Sequence, residues 1–132
     1  MSRKILKKLA VAIAAVIAFV ALALHLLGLY WSGAFNRFMP REIARYESPD
    51  GQYVLEFDQL GDPDWPFGPT DIRLTLRNAA GKKLDSLDTS IQDDGANASA
   101  YNIKSLAWAE DGVTVILCAS EMEDMTVTLA CR

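Results

Sequence analysis

The sequence predicts one N-terminal transmembrane α-helix followed by a small all-β domain, built as an antiparallel sheet or a sandwich. Two observations predict this class. An almost unbroken apolar run extends from Leu9 to Trp31, and beyond it short apolar stretches alternate with turns rich in Gly, Pro, Asn and Asp. The chain is therefore expected to divide into a basic cytoplasmic tail (1–8), a transmembrane helix (9–31), a connector (32–46) and an extracytoplasmic β domain (47–132).

The apolar run is long enough to cross a membrane as a helix. At about 1.5 Å per residue it rises roughly 34 Å, against about 30 Å of hydrocarbon. The alternative is a cleavable secretory signal, since basic residues precede the run and the small residues Ser32, Gly33 and Ala34 follow it. Such signals usually have an apolar segment of about 7–15 residues, so the length favours an uncleaved anchor. Whether residues 1–34 are removed stays open.

Lys and Arg flank the apolar run unequally. Four basic residues precede it in the short tail, and Arg37, Arg41 and Arg45 follow within the connector. A short basic tail before a first span favours an N-terminus in the cytoplasm. The expected location is the bacterial inner membrane, crossed once, with the C-terminal domain in the periplasm.

The part of the chain after Trp31 is strongly acidic. It holds all 17 acidic residues and nine of the 13 basic ones, which gives a formal charge of −8. Nucleic acid and anionic lipid call for clustered Lys and Arg, so neither is expected as its ligand. The charge permits a basic protein partner, and it is equally consistent with a surface kept soluble by repulsion.

The β domain is predicted from alternating apolar residues bounded by turns. Ile72, Leu74 and Leu76 alternate with polar residues, and Asn78–Gly81 is a hairpin turn. The connector is expected to contain one or two helical turns after Pro40. The remaining predicted strands are Tyr53–Phe57, Lys82–Leu87, Tyr101–Trp108, Val113–Ala119 and Met125–Cys131, with loops at Gln59–Thr70, Asp88–Ala100 and Glu121–Asp124.

Two segments of the predicted β domain echo one another. Glu47–Phe57 (ESPDGQYVLEF) and Trp108–Leu117 (WAEDGVTVIL) each place an acidic-Gly turn before an apolar strand. This pattern resembles the SPDG-type repeat of bacterial β-propellers related to the translocation protein TolB, although the chain is too short to close a propeller. The basic tail, span, SPDGxY motif and acidic β domain together are similar to small membrane-anchored bacterial proteins, including periplasmic immunity proteins that accompany contact-delivered toxins. That resemblance implies inhibitory binding and not catalysis.

The two cysteines, Cys118 and Cys131, fall on the last two predicted strands. An even number of cysteines in an oxidising compartment favours a disulfide, and a Cys118–Cys131 bond is expected. Its geometry depends on the register. Pairing Ser120 with Met125 leaves the sulfurs about 13 Å apart, whereas a register centred between Asp124 and Met125 places them directly opposite. Two buried thiols are the alternative.

Outside the span the sequence offers little catalytic chemistry. The only histidine, His25, lies in the apolar run, so no Ser-His-Asp, Cys-His or His-containing zinc site is expected in the β domain. Asp62–Asp64 and Asp93–Asn97 carry oxygen ligands, but neither matches a calcium loop, and local turn bonds explain them better. We therefore expect no enzyme activity, metal, cofactor or small-molecule substrate.

The proline-rich loop Gln59–Thr70 is the candidate binding surface, because it combines aromatic residues with acids that suit a basic partner. In the alternative, its aromatic side chains fold back and cap an open end of the sheet. The expected function is protein binding, with toxin neutralisation as the most specific version and a structural accessory subunit of an envelope complex as the alternative. The candidate contact residues in this loop and the next are Asp62, Asp64, Trp65, Phe67, Asp93 and Asp94.

Overall fold

The computed structural model describes residues 2–31, 39–64 and 66–132. The chain forms two compact units, Met1–Phe35 and Asn36–Arg132. Within the described residues, the first contains one α-helix and the second contains seven antiparallel strands in two sheets. The predicted class, one apolar helix followed by a small all-β domain, is confirmed.

The helix α1 extends from Arg3 to Trp31. It begins within the basic tail, before the apolar run. Lys and Arg are good helix formers, so these residues can form the first turns of the helix. None of its residues is buried against protein, and apolar side chains are exposed along most of its length. A helix that is apolar on all sides needs apolar surroundings. By length and composition, α1 is sufficient to cross a membrane.

The β unit is a sandwich of two meanders. Sheet A has the order β1–β2–β3–β4 and sheet B has the order β5–β6–β7, and every neighbouring pair is antiparallel. A short 3₁₀ turn at Ala100–Asn102 precedes β5. The strands of sheet A are β1 (Arg41–Glu47), β2 (Tyr53–Gln59), β3 (Thr70–Asn78) and β4 (Lys83–Ile91), and those of sheet B are β5 (Ile103–Ala109), β6 (Gly112–Ala119) and β7 (Met122–Ala130).

The core lies between the inner faces of the two sheets. Alternate residues of each strand point to the same face, and the apolar phase of each strand is turned inward. Phe57 of β2 lies opposite Leu74 on the neighbouring strand β3, and Val113 of β6 lies opposite Leu129 on the neighbouring strand β7. The fully buried apolar side chains are Leu55, Phe57, Ile72, Leu74, Leu76, Ile91, Val113, Val115, Leu117 and Leu129.

The two outer faces differ in charge. On sheet A, the Arg73 guanidinium donates two hydrogen bonds to Asp88, at 2.6 and 2.8 Å, and Glu56 accepts from both Arg45 and Arg77 at 3.1 Å. The middle of the outer face of sheet B is uncharged: in the strand register its rows consist of Ser105, Ala107, Thr114, Ile116, Thr126 and Thr128.

The strands define two ends of the sandwich. The loop end consists of residues 39–40 before β1, the long loops 60–69 and 92–102, and the turn 120–121. The turn end consists of the turns 48–52, 79–82 and 110–111 and the C-terminal residues 131–132.

The connector is shorter than the sequence indicates, because residues 41–47 form strand β1 rather than a helical turn. Their pattern hides the strand, since a bulge at Ile43 breaks the alternation. Pairing with β2 puts Arg45 opposite Glu56 and Tyr46 opposite Leu55. Charged side chains therefore pair on one face of the sheet and apolar side chains pair on the other. Residues 32–38 of the predicted connector lie outside the described residues. At the other edge of sheet A, β4 extends to Ile91, where a loop was predicted, since Ile91 is buried opposite Thr70.

The predicted Cys118–Cys131 disulfide is wrong. The turn between β6 and β7 has two residues, 120–121, and sets a register with Val115 opposite Val127, which neither predicted pairing contains. Cys131 then lies beyond the strand end, where its N–H donates to Asp111 O at 2.9 Å. Seven strand positions, roughly 23 Å, separate it from Cys118, far beyond the reach of a disulfide. Both thiols are free, and burial raises the pKa of the Cys131 thiol.

Candidate functional site

The structure brings the two predicted loops together at the loop end. Asp62, Asp64 and Phe67 lie in the loop 60–69, and Asp93 and Asp94 lie in the loop 92–102. Trp65, the other predicted contact residue, lies outside the described residues. Residues 70–91 separate the two loops in the sequence, and the fold brings the loops together through contacts of β2 and β3 with the second loop.

Gln59 at the end of β2 joins the two loops. Its side chain is only 2% exposed and forms four hydrogen bonds. The amide nitrogen donates to Gly61 O at 2.8 Å and to Asn97 Oδ1 at 2.9 Å. The amide oxygen accepts from the Ala98 N–H at 2.8 Å and from Arg41 Nη2 at 3.1 Å. Because each polar atom of this buried amide is satisfied, the loops on both sides of Gln59 are held in one arrangement.

Two further contacts fix the loop 60–69 against the loop 92–102. The hydroxyl of Thr70, which is buried at the start of β3, donates to Ala96 O at 2.8 Å. Gly95 packs directly on the backbone of the first loop: a Cβ at this position would lie 3.1 Å from Pro66 O and 3.2 Å from Phe67 Cα. A larger residue at position 95 would therefore push the segment that carries Phe67.

The second loop turns sharply at Asp94 and Gly95. Their φ angles are +52° and +72°, and the turn is closed by the Ala96 N–H donating to Asp93 O at 2.9 Å. Left-handed φ at both central positions is the type I′ arrangement that Asn, Asp and Gly favour. This turn leaves the Asp94 side chain exposed.

The Asp93 carboxylate is hydrogen-bonded within the β unit, so its role is structural. Its carboxylate accepts from the Ser120 N–H at 3.0 Å and from Asn102 Nδ2 at 3.4 Å. These bonds stabilise the ionised form, and the pKa of Asp93 lies below its usual value. Asn102 is itself buried and donates to Cys118 O at 2.9 Å. Asp93 therefore ties the second loop to the β6–β7 turn.

Large apolar side chains are exposed at the loop end. Among the described residues of the β unit, those with high exposure are Met39 at 80%, Phe67 at 66% and Tyr101 at 91%. All three belong to the loop end. For Phe67, the alternative that its ring folds back to cap the sheet is wrong, because two thirds of its surface stays accessible. Isolated exposed apolar residues are ordinary, but their concentration at one end is typical of an interaction surface.

The chemistry of the loop end suits binding. The exposed side chains of Asp62, Asp64 and Asp94 lie in the same two joined loops as the exposed aromatic side chain of Phe67. Within the described parts of the chain, no group of three His, Cys, Asp or Glu side chains could hold a metal ion. A surface that presents both apolar and acidic side chains can contact a partner that presents an apolar pocket with basic neighbours.

Sequence reasoning missed Gln59, Met39 and Tyr101. Gln59 was detectable in principle, since it occupies the inward phase of β2 after Leu55 and Phe57, where a polar residue needs buried partners. Nothing in the sequence indicates that Met39 and Tyr101 lie at the same end of the fold as Phe67, because that proximity depends on strand order.

Comparison with known proteins adds no relative. No protein-family model and no curated protein matches the sequence, and no solved structure matches the fold. The function is therefore inferred from the geometry of the β unit and from the apolar character of α1.

Proposed function

We propose that this chain is a membrane-anchored protein-binding domain whose loop end docks on a basic partner outside the cytoplasm. In its most specific version it is an immunity protein that neutralises a periplasm-acting toxin. One observation carries the proposal: the highly exposed large apolar residues of the described β unit, Met39, Phe67 and Tyr101, share one end of the sandwich with the exposed acids of two joined loops.

The exposed aromatic side chain supplies affinity. Burying a side chain of the size of phenylalanine contributes about 1.5–3 kcal/mol relative to leaving it in water. Aromatic anchors at the centre of an interface carry much of the binding free energy. The four hydrogen bonds of Gln59 hold the loop before binding, so less conformational entropy is lost when a partner docks.

The acidic side chains of the loop end attract a basic partner and favour it over other partners. Asp62, Asp64 and Asp94 lie in a region of formal charge −8, which attracts a basic surface and accelerates the encounter. A partner chosen in this way should bind more slowly as salt is added, since rim charges are screened at physiological ionic strength.

The helix α1 supports the anchoring part of the proposal. It is long and apolar enough to span a bilayer, and the basic tail before it favours an N-terminus in the cytoplasm. We propose that α1 spans the bacterial inner membrane and that the β unit lies in the periplasm. Anchoring would keep the binder at the membrane that faces the compartment in which a periplasm-acting toxin works.

The test is protection from a neighbouring toxin. The full chain is produced in bacteria in which a toxin encoded next to its gene is directed to the periplasm, and survival is measured. We expect protection by the natural chain and its loss in Phe67→Ser, with partner affinity reduced about tenfold or more. Asp62→Lys should slow association. Glu47→Lys, the same charge change at the exposed last residue of β1, should leave protection and association unchanged.

Two outcomes would contradict the proposal. The first is the absence of any toxin gene beside this one, which would remove the immunity version. The second is a function that survives Phe67→Ser but is lost when α1 is replaced by an unrelated transmembrane helix. That result would indicate the accessory subunit, held in an envelope complex by its span.

A further inference from the structure

A cavity lies at the turn end, at the opposite end of the sandwich from the loops proposed to bind a partner. It is a cleft of about 470 Å³ between the turns 48–52 and 110–111. These are the two acidic-Gly turns whose sequences echo one another. The fold places them side by side, one from each sheet, and the cleft opens between them.

The glycines of the two turns show that the echo is not a structural repeat. Gly51 has a φ of +71° and open space around it, so it serves the turn itself. Gly112 begins β6, and a Cβ there would lie 2.2 Å from Leu129 O, so it serves close strand packing. What the two segments share is the chemistry they present to the cleft.

The cleft has aromatic walls and an acidic rim. Tyr53 and Trp108 are half-buried, pack against the core and line the cleft, and Asp50 and Glu110 line it with exposed carboxylates. Among the residues that the structure describes, no Lys or Arg lines this cavity. A cation entering it would meet carboxylates and aromatic rings without a competing positive charge.

The Asp50 carboxylate is held ionised by its own turn. Oδ1 accepts from Ser48 Oγ at 2.6 Å and from the Gln52 N–H at 3.1 Å. These bonds keep the pKa of Asp50 below its usual value. The Ser48 hydroxyl also accepts from the Tyr53 N–H at 3.0 Å, so the acid and the aromatic wall are positioned by one network.

We infer that this cleft is a binding site for a small organic cation with an ammonium or guanidinium head. Aromatic faces attract such cations through their quadrupoles, Trp most strongly, and carboxylates add Coulomb attraction. A cleft of this volume, with a few polar groups on apolar walls, is typical of a small-molecule site. The cation can be a free molecule or the side chain of a peptide, since both present the same head group.

The experiment uses the full chain in maltoside detergent, which contains no cationic head group. Choline, its uncharged isostere 3,3-dimethylbutan-1-ol, and N-acetyl-arginine amide are titrated separately. Binding is followed by calorimetry and by NMR shifts of the Gly51 amide and the Trp108 indole. We expect both cations to bind and the uncharged isostere to bind about tenfold or more weakly. Tighter binding of choline indicates a free cation, and tighter binding of the arginine amide indicates a peptide side chain.

Variants connect the binding to the cleft. Glu110→Gln should weaken choline binding about three- to tenfold, and Glu110→Lys should abolish it. Glu121→Gln, the same change on an exposed acid at the loop end, should have no effect. Trp108→Leu keeps an apolar residue but removes the large ring, and we expect about tenfold weaker binding. If that variant does not fold, the Glu110 pair decides.

Equal binding of choline and its uncharged isostere, or no binding of either cation at about 10 mM, would overturn the inference. So would equal affinities for Glu110→Lys and the natural chain. The result is independent of the proposed function, because Phe67→Ser should leave cation binding intact and Glu110→Gln should leave toxin protection intact.

Discussion

Two hairpin turns at the turn end close on bonds within themselves, whereas the two long loops at the loop end are also bonded to distant parts of the chain. At the turn end, Gly51 N–H donates to Ser48 O and Gly81 N–H donates to Asn78 O, three residues away in each case. At the loop end, the bonds from Gln59 to Asn97 and Ala98 join residues 38 and 39 positions apart. The local bonds need only the residues of the turn itself, whereas the bonds of Gln59 need strand β2 and the loop 92–102 in place together.

The largest expected effect comes from Gln59→Leu. This substitution removes four hydrogen bonds and leaves the buried Ala98 N–H without its acceptor, so we expect the free energy of unfolding to fall by about 3 kcal/mol. Amide exchange should accelerate in the loops 60–69 and 92–102 and stay unchanged in the turns 48–52 and 79–82. Urea unfolding and hydrogen exchange measure the two effects.

The control is Gln52→Leu, an exposed position of the turn end, which should change stability by less than about 0.5 kcal/mol. A loss below about 1 kcal/mol for Gln59→Leu would mean that the loop end does not depend on its buried amide.

A pair of glycine substitutions separates backbone strain from contact between loops. Gly81 has a φ of +84° with open space around it, so Gly81→Ala should cost about 1 kcal/mol for the left-handed conformation alone. Gly95 has a similar φ of +72°, but its added Cβ would lie 3.1 Å from Pro66 O. Gly95→Ala should therefore cost about 2 kcal/mol.

The position of Phe67 gives the second measurement for this pair. Gly95→Ala should shift the NMR resonances of the Phe67 ring, and Gly81→Ala should not. Equal losses of stability, with no shift at Phe67, would show that the two loops are not in close contact.

The smallest effect is the pH dependence contributed by Asp93. Its pKa is depressed in the folded state, chiefly by the hydrogen bond from the Ser120 N–H. Because folding favours the ionised form, the stabilisation is complete at neutral pH and is lost as pH falls below about 4 through the lower folded pKa. Asp93→Asn should lose about 1 kcal/mol at pH 7 and show a flatter stability curve below pH 5.

Melting temperatures measured from pH 2 to 7 decide this point. Glu121→Gln, in the turn that Asp93 supports, serves as the control and should retain the acid dependence of the natural chain. A curve for Asp93→Asn parallel to that of the natural chain would assign the acid sensitivity to other carboxylates.

Much of the fold could be predicted from local patterns. The alternation of Ile72, Leu74 and Leu76 predicts β3, and Asn78–Gly81 predicts the hairpin, because both signals are contained in a few neighbouring residues. Strand β1 escaped prediction because Arg45 is satisfied by Glu56 on another strand. The register of β6 and β7 was not predicted, because the sequence between these strands fits longer turns as well as the turn of two residues that the structure has.

The loop end was predictable in composition but not in role. Acids next to an aromatic residue indicated Phe67 and Asp62, and both are exposed. Asp93 was grouped with them by composition, although its carboxylate is used by Ser120 and Asn102. The cleft at the turn end could not be predicted, because it forms only where one sheet packs on the other and no local sequence pattern indicates that packing.

The meander order of both sheets has a consequence for the growing chain. Each strand pairs with the one made just before it, and among the described strands only the β4–β5 connection passes from sheet A to sheet B. Sheet A can therefore be complete once residue 91 has left the ribosome, while its inner face, with Leu55, Phe57 and Leu74, is still bare. A nascent chain that pauses in the loop 92–102 is the form most in need of a chaperone.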